Sequence, residues 1–183
     1  MKTSHAALSA LFVAAAACGS STGPTTSILK NDGYASGAPS FQNGFLTGDA
    51  AAVVLGPQSS GFTVKRVLFL FGGADTAETV TLTIYADAGT DNPGAVLSSH
   101  DYVVTPSNAA LREIDVTAQN VVVDAGHSIR VALFFHHDAL PCIAKDGDGI
   151  TASRNYIYSA GWLKAESAGV TGDFVIRAEV VTN

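Results

Sequence analysis

The segment Thr79-Val80-Thr81-Leu82-Thr83-Ile84-Tyr85-Ala86 alternates between polar and apolar residues, and this two-residue period most constrains how the chain can fold. Successive side chains of a strand point to opposite faces. The pattern therefore buries Val80, Leu82, Ile84 and Ala86 and turns the threonines outward. Residues 128–135 repeat it with Ile129, Val131, Leu133 and Phe135 on one face. Phe174, Ile176, Ala178 and Val180 do so again, with Arg177 and Glu179 outside. Val67-Leu68-Phe69-Leu70-Phe71 is apolar throughout and stops at Gly72-Gly73, the pattern of a central strand covered on both faces. Further runs at 51–55, 95–105, 111–117, 121–123 and 155–159 are separated by turn signals such as Gly56-Pro57, Asp124-Ala125-Gly126 and Asp146-Gly147-Asp148-Gly149. No convincing 3.6-residue period interrupts them. The chain is predicted to be all-β: an antiparallel β-sandwich of jelly-roll type over residues 28–183, with about eight to nine strands. Barrel closure is the alternative, but nothing in the sequence demands it.

The first residues carry a different pattern. Lys2 is followed by the apolar run 6–14, and Ala15-Ala16-Ala17 then precedes Cys18. A basic start, a short apolar core and small residues at a cut define a secretory signal peptide over 1–17. The run falls well short of the ~20 residues needed to span a membrane. Ala15-Ala16-Ala17-Cys18 resembles the lipobox of bacterial lipoproteins, which implies a lipidated, palmitate-bearing Cys18 as the first mature residue. Cleavage by the ordinary signal peptidase is the other reading, since Ala-x-Ala suits that enzyme too. Residues 18–27 are small and polar, as expected of a flexible tether holding a domain off the bilayer.

Two cysteines allow no disulfide framework, and lipidation of Cys18 leaves Cys142 alone in an apolar stretch, where a buried inert thiol is expected. The core must then hold the fold unaided. With 47% apolar and 14% charged residues, the chain has the composition to build one. A net charge of -6 supplies no positive field for nucleic acid.

The stretch Ile84-Tyr85-Ala86-Asp87, continued by Asn92-Pro93-Gly94-Ala95-Val96-Leu97, resembles one that recurs in secreted bacterial jelly-roll modules. Segments 124–133 and 161–178 are similar to the same modules. These modules are related in shape to carbohydrate-binding jelly rolls and are often appended to secreted or cell-surface proteins. The resemblance implies the fold and a binding role, and transfers no functional residues.

Catalytic motifs are mostly missing. The sequence has no Gly-x-Ser-x-Gly elbow, no His-Glu-x-x-His and no phosphate loop. His100-Asp101 reads as a turn-edge pair rather than part of a hydrolytic triad. His136 and His137 point to opposite faces of a continuing strand, so they do not share a zinc ion there. Asp146 and Asp148 place carboxylates two residues apart on a flexible turn, which suits a structural Ca²⁺, although Asp and Gly favour turns for conformational reasons as well. Asp87, Asp91 and Asn92 form a second oxygen-rich turn.

Ring faces cover the apolar faces of pyranoses, which makes Trp162, Tyr156 and Tyr158 the candidate ligand-binding residues, with Tyr34 nearby in kind. Capping of the sandwich by the same rings is the ordinary alternative. The expected function is that of a non-catalytic, lipid-anchored envelope protein, at the outer membrane or cell surface rather than the inner membrane. It would act as a binding module for carbohydrate, with a polysaccharide as partner. The alternatives are a scaffold subunit held to another envelope protein and, behind both, a hydrolase. Cys18→Ser is expected to shift the protein from the detergent phase to the aqueous phase on partition. A wild-type chain that incorporates no labelled palmitate would overturn the anchor.

Overall fold

The computed structural model describes residues 23–35 and 39–182. The expected signal peptide at 1–17 and the lipidated Cys18 lie outside the described residues. The strands are β1 (Thr26–Leu29), β2 (Ser40–Phe41), β3 (Ala50–Leu55), β4 (Phe62–Phe69), β5 (Phe71–Gly72), β6 (Glu78–Ala86) and β7 (Val96–Val104). They continue with β8 (Arg112–Asp115), β9 (Val122–Val123), β10 (Ile129–Phe135), β11 (Cys142–Lys145), β12 (Asn155–Tyr158), β13 (Trp162–Lys164) and β14 (Ile176–Thr182). Fourteen segments replace the expected eight to nine: β1, β2, β11 and β13 lie outside the runs read from the sequence, and the run 67–71 is divided between β4 and β5.

A five-stranded sheet runs β1-β14-β4-β8, with β9 also on β4, and a six-stranded sheet runs β13-β12-β3-β10-β6-β7. A small sheet, β2-β11-β5, closes one end. Every pairing is antiparallel. The chain alternates between the two main sheets (β3, then β4, then β6-β7, then β8-β9, then β10), as a jelly-roll winding does. Two facing layers result, a β-sandwich with open edges rather than a closed barrel.

The two-residue period does what it predicts except within β6, where Ala86 is only half-buried and Thr83 is buried. Val80, Leu82 and Ile84 of β6, Ile129, Val131, Leu133 and Phe135 of β10, and Ile176, Ala178 and Val180 of β14 all enter one core, joined by Val53, Leu55, Phe62 and Val67. Phe135 packs at 4.9 Å from Phe45 and 6.5 Å from Phe71, centroid to centroid. The continuous run 67–71 behaves differently from the expectation. β4 stops at Phe69, and Leu70 bridges out of the sheet by donating its N–H to Val175 and accepting from Ala144. Phe71 then begins β5, and Leu68 faces outward, half-buried. Cys142 on β11 is fully buried, and burial pushes its thiol up to about 12, the inert state expected.

Pairing begins before residue 28: Thr26 and Ser27 already lie opposite Val181 and Val180. No helix among the described residues is long and apolar enough to cross a membrane. Removing the Phe135 ring leaves a cavity in the middle of the core, so Phe135→Ala is expected to cost ~3–5 kcal/mol in a urea titration. Val103→Ala on the exposed side of β7 should stay within about 0.5 kcal/mol.

Candidate functional site

The outer faces of the two sheets differ in chemistry. On the five-stranded sheet, Arg66 grips Glu179 through Nε at 2.9 Å and Nη2 at 2.6 Å, and Glu113 through Nη1 at 2.7 Å. Arg177 beside it pairs with the buried Asp32 and with the Tyr34 carbonyl. That face is an ion-paired surface. The six-stranded sheet presents aromatic rings instead.

Register places them. Tyr158 is opposite both Trp162 and Ala50, Ala50 is opposite Phe134, and Phe134 is opposite Thr81. One row therefore shares the outer face, and the next row holds Tyr156, Ala52, Ala132 and Thr83. Alanines at 50, 52 and 132 are fully buried and make a low floor. Larger rings lean over that floor. Trp162 lies 5.3 Å from Tyr158, 6.0 Å from Phe134 and 6.0 Å from Tyr85, and Phe134 is 5.7 Å from Tyr158. These four rings stay half-buried, each with surface left in water.

Arg130 sits beneath them with no exposed surface. Its Nη1 donates to the Asp91 carbonyl at 2.6 Å, and Nη2 donates to Asp87 Oδ1 at 2.9 Å and the Thr90 carbonyl at 2.7 Å. The guanidinium lies 3.8 Å over the Tyr156 ring and 5.6 Å from that of Trp162, within cation–π range. The oxygen-rich turn at 87–92 thus closes around the protein's own cation. Tyr156, at 4% exposed, spends its ring on Arg130 and offers no free face. Burial raises the Tyr85 and Tyr156 phenols above their ordinary value, which keeps both hydroxyls neutral.

Of the sequence candidates, Trp162 and Tyr158 come together and Tyr156 lies under them. Phe134 and Tyr85 were missed, because each is the off-phase residue of a strand read for its buried face. Tyr34 lies elsewhere, its hydroxyl donating to the Ala109 carbonyl at 3.3 Å.

The same face carries Thr81, whose Oγ1 is 2.5 Å from Asp101 Oδ1 and 2.7 Å from His136 Nε2. His136 is 3.9 Å from Asp101, so the carboxylate bonds the hydroxyl and not the imidazole, the reverse of a triad's order. His137 turns away as expected and contacts the Pro141 carbonyl through Nε2 at 2.6 Å. Asp138 accepts from the Thr47 N–H and hydroxyl, and these bonds hold its carboxyl below the usual value.

Asp146 is buried, with Oδ2 accepting from the Gly33 N–H and Oδ1 from the Asp173 N–H, both at 2.8 Å. A Cβ at Gly172 would stand 2.1 Å from the Asp146 carbonyl oxygen, so this approach requires glycine. Asp173 in turn accepts from Thr151 and Asn155, which ties the 146–155 loop to the start of β14. Asp148 is the neighbouring carboxylate of Asp146 on this turn. The Ca²⁺ reading rests on this carboxylate pair, and no group of three or more metal-ligating side chains occurs among the described residues.

No family model, no curated protein and no solved structure matches the chain. Its chemistry has to be argued from the site.

Burial, reinforced by the adjacent Asp148 carboxylate, raises the Asp146 carboxyl above the ordinary aspartate value, against the pull of its backbone donors. A raised folded-state value means the group favours folding most when protonated, and that contribution is lost as pH rises through the folded value. Asp148→Asn removes the adjacent charge. It is expected to raise the melting temperature at neutral pH, with the gain fading as pH falls through the raised Asp146 value.

Proposed function

We propose that this chain is a non-catalytic binding module of the bacterial cell envelope, anchored by lipid on Cys18 at the outer membrane or cell surface, whose aromatic face takes carbohydrate. One observation carries the reading: the rings of Trp162, Tyr158, Phe134 and Tyr85 gather half-buried on one sheet face while the opposite outer face is ion-paired. Rings fixed in this way present apolar area at little cost in ordering on binding, and their polar tips suit a hydroxylated partner. The tether residues and the lipid would place such a face beside the polysaccharides of the envelope.

A second reading, a scaffold subunit of an envelope complex, is favoured by a different feature. β7 is a nine-residue edge strand carrying exposed Val96, Leu97 and Val103, and it has no lysine or proline to block a further strand. The order of Asp101, Thr81 and His136 speaks against the hydrolase alternative.

Trp162 is the only tryptophan, so its emission reports the aromatic face directly. Titration with soluble envelope or plant-type polysaccharides is expected to shift or quench that emission. Trp162→Ala should abolish retention in affinity electrophoresis while the chain keeps a β-type far-UV spectrum. Retention that survives Trp162→Ala would move the binding elsewhere.

A further inference from the structure

Beyond the rings, the face has a polar end whose hydrogen bonding is fixed. Thr81 has a single hydroxyl proton between an acceptor-only carboxylate and an imidazole nitrogen. The proton goes to Asp101, so His136 must donate through Nε2–H to Thr81. A neutral His136 then carries its acceptor at Nδ1, and Asp101 keeps its second oxygen free to accept. Both groups face solvent, their side chains 43% and 63% exposed. The cluster therefore shows a ligand acceptors, and the partner must bring donors. The nearby carboxylate also repels an anionic partner.

Position matters as much as chemistry. Asp101, Thr81, Phe134, Ala50 and Tyr158 are direct cross-strand neighbours on β7, β6, β10, β3 and β12. Four strand spacings separate Tyr158 from Asp101, about 19 Å at ~4.8 Å each. A single pyranose covers little more than one spacing. Resting on the carbohydrate reading above, we infer that the site takes a neutral, linear glycan of several units lying across the strands. Its rings sit on Trp162, Tyr158 and Phe134, and its hydroxyls at one end donate to Asp101 and His136, held in place by Thr81.

The test uses the full chain with β-1,4-linked glucose, mannose and xylose oligomers from one to six units, and oligogalacturonate as the anionic arm, followed by calorimetry and Trp162 emission. Affinity for at least one neutral series is expected to climb with length until the row is filled. Asp101→Ala should weaken the longest member about tenfold, the scale of one hydrogen bond to a charged group. It should leave the shortest bound member unchanged, because that one rests on the rings alone. Thr81→Val should reproduce the effect through loss of orientation. Equal affinity for short and long oligomers, an unchanged Asp101→Ala, or oligogalacturonate binding as tightly as the neutral series would overturn this inference and leave the carbohydrate reading standing. No response to any oligomer, with Trp162 emission unmoved, would overturn both.

Discussion

The arrangement of the aromatic face depends on one buried cation. Arg130 falls on the outward phase of β10, where the strand's alternation would ordinarily place a residue in water, yet it has no exposed surface. Taking a guanidinium out of water costs several kcal/mol unless its protons are met. Here the Asp87 carboxylate and two carbonyls of the 87–91 turn meet Nη1 and Nη2, while Nε stays buried without a hydrogen-bond partner. The flat face of the group is spent on Tyr156. A single side chain thereby ties down the β6–β7 turn and packs against both Tyr156 and Trp162.

Around that cation the six-stranded sheet carries material on both sides. Inward, its strands meet the five-stranded sheet through the main core. Outward, the alanines of β3 and β10 leave space that the aromatic rings fill, a shallow third layer over part of the sheet. Close packing of rings over small residues explains why residues on both phases of β3 are buried, although only one phase faces the sandwich interior. The rings and the alanines beneath them pack as one cluster. Under the binding role proposed above, such a face would work through area and edge chemistry, which favours extended partners over small enclosed ones.

Much of the fold was legible because β6, β10 and β14 follow a two-residue period, and β7 falls within the run 95–105 although its burial does not alternate. The run 67–71 was misleading for a physical reason. Continuous apolarity signals burial on all sides, but Leu70 and Phe71 achieve it by leaving β4 for the small end sheet, a change of partners that leaves no mark on hydropathy. The site was legible by residue type and only in part by place. Trp162 and Tyr158 announce themselves as aromatics near turns, whereas Phe134 looks like core until the register shows which phase it occupies. Arg130 gave no signal, since a charge on the outward phase of a strand usually means solvent. The Thr81–Asp101–His136 group joins residues up to 55 positions apart and depends on cross-strand pairing that the sequence alone does not specify.

The first and last strands are neighbours. Thr26 lies opposite Val181, Thr25 donates its N–H to the Thr182 hydroxyl at 3.1 Å, and Thr182 returns a backbone bond to the Thr25 carbonyl at 3.0 Å. Both ends of the sandwich therefore leave from one spot on the rim of the five-stranded sheet, at the far edge from β8. A body closed on itself in this way meets whatever is joined to it through a single point. It can be carried as an inserted cassette as readily as a terminal cap, since neither junction would have to stretch across the domain or disturb the aromatic side.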